Sequence, residues 1–315
     1  MKLVHFQGIG DLIFYMQALR IAGVRPEKLI IHQKGTYAFA KAEYPDIRVV
    51  HLKYRISAII PLLLEKAYIS HRTSSNGIFR IATKAGLIQL KQIYRVRQSL
   101  RTISEIPKNH NARRALVHAA LSTSKLLQKV QPLSQNNPDQ ATTKVIIIPG
   151  AGKSQQFKKW PLESYIKLIN EIQNEINTLE ILILLGPDED DIEKIIPQET
   201  QKQAQVLKNK TGKELRQIFT PTTVIIAGDT SMAHLAADSG AKILLLAGPS
   251  NVKHTAPLSD QLHIIRSHSL PPCAPCITRR NARGCGDNVC MKNIPVDQVL
   301  EKLQMIVQKR SELPT

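Results

Sequence analysis

The stretch VIIAGDTSMAHLAA, residues 224–237, constrains the fold more than any other part of the chain. Val224, Ile225 and Ile226 form a branched apolar run that ends in Gly228, Asp229, Thr230 and Ser231, and an alanine-rich helical pattern begins at Met232. An uninterrupted apolar run of this kind predicts a strand of a parallel sheet, buried on both faces and feeding a helix. The turn offers hydroxyls and the free backbone N–H groups of a helix start, an arrangement suited to holding phosphate. In doubly wound α/β folds, ligands bind at the carboxyl ends of such strands. The stretch therefore predicts a nucleotide-binding half, with further chemistry supplied elsewhere in the chain.

Neighbouring segments repeat the pattern. An apolar run at 144–148 leads into Pro149, Gly150, Ala151, Gly152, Lys153 and Ser154, with Lys158 and Lys159 close behind. Small residues followed by lysines again suit a phosphate, although the spacing is not that of a P-loop. Trp160 and Pro161 open a helix, the proline fitting its first position. Further strands are expected at 180–185, closing on Gly186, Pro187, Asp188 and Glu189, then at 205–207 and at 242–247, which ends in Gly248, Pro249 and Ser250. A charged helix follows Glu189, another is expected over 212–219, and a closing helix over 296–309. Several strands thus end in small or polar residues, which predicts a ligand edge along one rim of this half.

The first residues show a shorter version of the same plan. A strand pattern at 2–6 is followed by Gln7, Gly8, Ile9, Gly10 and Asp11, then a helix through Ala22. Gly8 and Gly10 permit a tight turn, but Ile13 stands where a dinucleotide fingerprint needs its third glycine. On the residues alone, Asp11 reads as an N-terminal cap. Strands at 28–32 and 48–52 with a helix between them extend the α/β pattern. The polar, aperiodic stretch QPLSQNNPDQATT at 131–143 marks a domain boundary. The expected organisation is a first domain over 1–140, a second over 141–296, and a closing helix over 297–315 with the option of packing back on the first domain.

Charge separates the halves. Of 43 Lys and Arg against 25 Asp and Glu, residues 1–143 hold 22 against 7, a net +15, and the remainder 21 against 18, a net +3. A one-sided excess predicts a polyanionic partner for the first half: nucleic acid, an anionic lipid surface or a phosphorylated glycan. Residues 72–114 carry 10 Lys or Arg and one acid, Glu105, among aliphatics at helical spacing. Such a segment lies on a membrane surface or packs its apolar stripe on its own core. Its aromatics, Phe79 and Tyr94, are isolated and no nucleic-acid module is recognisable, which argues against a nucleic-acid-binding protein. No apolar run approaches the roughly 18 residues of a spanning helix, and the start is a poor signal peptide, so a cytoplasmic protein is expected. The four cysteines, Cys273, Cys276, Cys285 and Cys290, are spaced C-x2-C-x8-C-x4-C, which leaves open a structural zinc site or a loop without metal.

Taken together, these blocks resemble glycosyltransferase family 9, the ADP-heptose:lipopolysaccharide heptosyltransferases. GIGDLIFYMQALR is similar to the family's opening loop and helix, and IIIPGAGKSQQFKKWPLESYIKLI to its central strand, proline-glycine loop and lysine-x-tryptophan-proline block. ILLGPDED, AGDTSMAHLAADSGAKILLLAGPSN and the CAPC segment follow in the family's order. The resemblance covers the first 20 residues and most of 144–300, and residues 53–130 carry no matching motif.

The resemblance implies a GT-B fold, two Rossmann-like doubly wound domains facing a cleft. It also implies inverting, metal-independent heptosyl transfer from a nucleotide donor, ADP-heptose, to the anionic lipopolysaccharide inner core at the inner membrane's cytoplasmic face. No cofactor is implied beyond the donor substrate, and a monomer is expected. Asp11 matches the general base, with Gly8 and Gly10 in the acceptor-side loop. Lys158 matches the lysine that neutralises the leaving diphosphate, with Lys159 one residue away as the other register. Gly150 and Ala151 match the donor loop, and Glu189 an acid that bridges nucleoside hydroxyls. Asp229, Thr230, Ser231 and His234 match the block that holds phosphate and sugar. Three positions depart from the family: Ser231 for glycine, His5 for arginine and Gln17 for proline. The alternative within this fold is another sugar nucleotide, for O-antigen or capsule synthesis.

Overall fold

A computed structural model of the chain describes residues 2–5, 8–21, 25–54, 68–69, 142–187, 189–257, 259, 261–276 and 285–308. The chain divides into two compact units, Met1–Leu133 and Ser134–Thr315. The basic segment 72–114 and most of the polar stretch 131–143 lie outside the described residues.

In the first unit the described strands are β1 (Lys2–His5), β2 (Lys28–Ile31), β3 (Arg48–His51) and β4 (Tyr68–Ile69). They form one parallel sheet in the order β3-β2-β1-β4. Helix α1 (Ile9–Ile21) returns from β1 and buries Leu12, Ile13, Phe14, Tyr15 and Leu19, and α2 (Lys34–Glu43) joins β2 to β3. The chain crosses from one side of β1 to the other, so β1 stands at a topological switch point.

The second unit holds a six-stranded parallel sheet: β5 (Lys144–Ile148), β6 (Glu180–Leu185), β7 (Gln205–Lys208), β8 (Thr223–Gly228), β9 (Lys242–Leu246) and β10 (Leu262–Ile265), ordered β10-β9-β8-β5-β6-β7. β5 and β8 are buried almost end to end, as their unbroken apolar runs predict. Helix α3 (Leu162–Glu175) covers the sheet with Tyr165, Leu168, Ile169 and Ile172, the spacing of one helical stripe. Between β6 and β7 the expected charged helix is two short ones, α4 (Asp190–Ile195) and α5 (Gln198–Gln203). Pro197, unable to continue the first, occupies the N-cap of the second. Helix α6 (Gly212–Ile218) starts with a capping box: the Glu214 amide donates to Thr211 Oγ1 and the Thr211 amide to the Glu214 carboxylate.

Helix α7 (Ser231–Asp238) follows β8. It ends on Gly240 at φ 87°, with the Ala241 amide donating to the Ala236 carbonyl, a left-handed C-terminus that glycine accommodates without strain. After β9 come α8 (Val252–Thr255) and the unanticipated β10, whose short LHII sequence carries His263 inside the apolar run. Helices α9 (Val289–Lys292) and α10 (Val296–Gln308) close the unit. α10 packs on α3, its Val299, Leu300, Leu303 and Ile306 joining the same apolar cluster. Among the described residues no helix is long and apolar enough to cross a membrane.

Candidate active site

In the second sheet the chain runs outward from β5 through β6 to β7, then crosses back to β8, β9 and β10. The switch point therefore lies between β5 and β8, and ligand sites form in the crevice outside the carboxyl ends of such strands. Two loops bound it: residues 149–159 after β5, and Asp229–Thr230 after β8.

The loops are tied together by a buried ion pair. Lys158 Nζ donates to the Asp229 carbonyl at 2.9 Å and to Asp229 Oδ2 at 3.2 Å, with the two side chains only 9% and 5% exposed. An ammonium carries three N–H donors, so two are committed to Asp229. Gly228 accommodates the crossing, since a Cβ there would come within 3.0 Å of the Lys158 carbonyl. Lys159, the other register, is half-buried, and among the described residues its side chain forms no ion pair.

Burial alone would push the Asp229 carboxyl upward. The Lys158 ammonium, the His234 ring and the hydroxyls of Ser250 and Thr255 together outweigh that and hold it below the ordinary carboxylate range. His234 lies one turn into α7 with its Nδ1 shut off from solvent. Burial pushes its pKa down, as does Lys158, against the upward pull of Asp229. Native His234 thus resists a proton that the unfolded chain accepts below its ordinary pKa of about 6.5. In that window the unfolded state binds more protons, so stability falls as pH drops. Thermal melts from pH 7.5 to 5 should show this loss, and His234→Gln should flatten it; an unchanged slope would remove His234 as its source.

Thr230 is the N-cap residue of α7 with extended backbone (φ −127°, ψ 168°), yet no side-chain bond caps the helix. Its Oγ1 is buried and has no partner among the described residues. The first amides of α7 and this hydroxyl therefore form a donor set at the positive end of a helix dipole, suited to a diphosphate. Ser231, the first helical residue, adds a half-buried hydroxyl where a glycine would leave open backbone.

On the other side of the crevice, Glu189 lies over the ends of β5 and β6. Its Oε2 accepts the Gly186 amide at 2.6 Å, and a Cβ on Gly150 would sit 2.4 Å from its carboxyl carbon. Glu189 is buried, so it is not the solvated turn acid that the surrounding Asp188, Asp190 and Asp191 suggest. Ala151 is buried beside it, and Gln156 Nε2 donates to the Ala151 carbonyl at 3.1 Å, fixing the turn.

In the first unit Asp11 is half-buried in the first turn of α1, directly beyond the switch-point strand β1. Gly8 and Gly10 are half-buried beside it, and the Gly8 carbonyl accepts the Leu12 amide at 3.2 Å. His5, fully buried, reaches the same carbonyl with Nε2 at 3.2 Å. The histidine at the arginine-departure position thus braces the turn that presents Asp11.

The four cysteines are free thiols: Cys273 and Cys285 exposed, Cys276 half-buried, Cys290 buried. Burial, then the neighbouring thiols Cys276, Cys285 and Cys273, push Cys290 up to about 11. Among the described residues no group of three or more His, Cys, Asp or Glu is placed to hold a metal ion. The two readings of the spacing, a structural zinc site or a loop without metal, bear on residues 273–290, of which 277–284 lie outside the described residues.

Local patterns miss Ser250, Thr255 and Gln156. Ser250 had a partial signal, because it ends a strand at the ligand rim. Thr255 acts on Asp229 across a chain distance that no short motif spans, whereas Gln156 works within its own loop, on carbonyls four and five residues back.

Comparison with known proteins places the chain among glycosyltransferases. The family model described as glycosyltransferase family 9 (heptosyltransferase) matches residues 57–285. Lipooligosaccharide heptosyltransferase 2 of Haemophilus influenzae is 27% identical over 158 residues, which is 48% of this chain and 44% of the relative, so the match spans under half of that protein. The structure of E. coli ADP-heptose lps heptosyltransferase II superposes with TM-score 0.60 at 15% identity, covering 98% of both chains. E. coli heptosyltransferase WaaC with ADP does so with TM-score 0.60 at 14% identity, covering 97% of this chain and all of the other. At such identities the likeness shows the fold, and it is the GT-B type, with two Rossmann-like α/β units.

Proposed function

The chain belongs to glycosyltransferase family 9, and from that premise we propose that it moves a heptose from a nucleotide-diphosphate donor, ADP-heptose, to the lipopolysaccharide inner core. The observation that carries this is the donor set at the start of α7, with Thr230 Oγ1, which has no partner among the described residues, at its head and the Lys158–Asp229 pair beside it.

Asp11 acts as general base. It takes the proton from an acceptor hydroxyl as that oxygen attacks the anomeric carbon from the face opposite the diphosphate. The bond from that carbon to the diphosphate oxygen breaks, the configuration inverts, and ADP leaves with the developing negative charge. The α7 amides, Thr230 Oγ1 and the third N–H of Lys158 meet that charge, so the step needs no metal ion. Asp229, kept ionised by Lys158, accepts sugar hydroxyls, and Glu189 with Gly150 and Ala151 bounds the nucleoside side. The domains divide this work at about residue 140, the basic first half taking the anionic acceptor at the cytoplasmic face of the inner membrane. The protein works as a monomer.

Ser231 favours one second reading, the same chemistry with a different sugar nucleotide for O-antigen or capsule, because its side chain stands where the donor approaches. A thermal-shift screen of nucleotide sugars separates the two. ADP-heptose at a hundredfold excess over its Kd should stabilise the chain by about 2.7 kcal/mol. A response to uridine or thymidine diphosphate sugars alone would favour the second reading, and no response to any would overturn both.

A further inference from the structure

Lys158 is aimed by a residue far along the chain. Asn288, the N-cap residue of α9, donates from Nδ2 to the Lys159 carbonyl at 2.8 Å and to the Phe157 carbonyl at 3.4 Å. A side-chain amide has two N–H donors, and here they reach the two carbonyls flanking Lys158. The segment carrying Asn288 is itself held on both sides. Trp160 Nε1 donates to the Ile294 carbonyl at 3.0 Å, and the Gly248 amide contacts Met291 Sδ at 3.2 Å. The fit at Gly248 is close enough that a Cβ there would lie 2.6 Å from the Cys290 carbonyl oxygen. Residues 288–294 are thus wedged between the loops that follow β5 and β9.

We propose that Asn288 is a positioning residue of the donor site: it fixes the backbone on both sides of Lys158 and, through the Lys158 ammonium, sets the Asp229–Thr230 turn for a nucleoside diphosphate. The segment around the buried Cys290 then serves as the brace of the donor loop. This rests on the reading of that turn as the diphosphate site. Without the amide, the 157–159 backbone rotates more freely, and the ammonium samples positions that no longer hold both Asp229 acceptors.

The test is calorimetric titration of the full chain with ADP, alongside thermal melts. Asn288→Ala should weaken ADP binding by about tenfold, the scale of one or two hydrogen bonds. Asn288→Asp, equal in size but without donors, should lose at least as much, and Asn288→Ser, which keeps one donor, should fall between. In a Lys158→Met background the alanine change should shift affinity by less than about twofold, since residues acting through one another are not additive. Equal factors in both backgrounds, wild-type affinity in Asn288→Ala, or Asn288→Asp binding like wild type would overturn the proposal. The Asp and Ser comparison stands even where the Lys158 background is too unstable to titrate. A wild-type chain that does not bind ADP would instead overturn the donor reading itself.

Discussion

Asp11→Asn should slow glycosyl transfer by about 10²–10⁴-fold, the range that a positioned general base contributes, while leaving the donor-induced thermal shift within a few-fold of wild type. Asparagine keeps the size of the side chain and is itself a good residue for helix starts. Its substitution in the first turn of α1 therefore removes the base and little else. A carboxylate near a helix N-terminus contributes only about 0.3–1 kcal/mol to stability, so Asp11→Asn should melt within a few degrees of wild type. If Asp11 were a cap and nothing more, the variant would transfer sugar at the wild-type rate. Rate and melting midpoint together separate these outcomes.

The largest stability effect should come from Lys158→Met. Its partner Asp229 is 5% exposed and would be left as an uncompensated buried carboxylate. Breaking a buried pair from one side costs about 3–5 kcal/mol, which for a unit of this size lowers the melting midpoint by roughly 10 °C. The same change should reduce donor stabilisation at concentrations that saturate wild type, with binding still measurable at higher donor concentration. Adding Asp229→Asn to Lys158→Met should recover most of the stability and none of the activity, because it removes the stranded charge without restoring the site. Additive losses in the double variant would mean that the two groups do not depend on one another.

The parallel strands were legible for a physical reason. A strand covered on both faces needs apolar residues at every position, so β5, β6 and β8 read as unbroken runs such as VIII, ILILL and TVIIA. Their expected limits agree with the structure to within a residue or two. The turn at 228–231 was legible as well, since glycine, acid and hydroxyls between a buried strand and a helix have few other uses. β10 was not, because four residues interrupted by a histidine carry no period.

The site was less legible than the fold, and its contacts explain why. Lys158 finds Asp229 across 71 residues and Asn288 finds Lys159 across 129, and neither pairing leaves a trace in local periodicity. Glu189 sits in an acidic run that reads as solvated, yet Gly150 and Gly186 make room for it to fold back over the strand ends. The cysteine spacing leaves a zinc site or a metal-free loop open, and of the four thiols Cys290 is the one buried in the core. For Asp11 the residues alone indicate a helix cap, and its assignment as base rests on the family.

The most direct test of this account is a transfer assay with the purified chain, ADP-heptose and lipopolysaccharide acceptor lacking heptose, run with and without a chelator and read by the mass of the acceptor. The account predicts one added heptose per acceptor from the wild-type chain, at the same rate in chelator, and almost none from Asp11→Asn. No transfer by the wild-type chain, loss of transfer on chelation, or equal transfer by Asp11→Asn would contradict it.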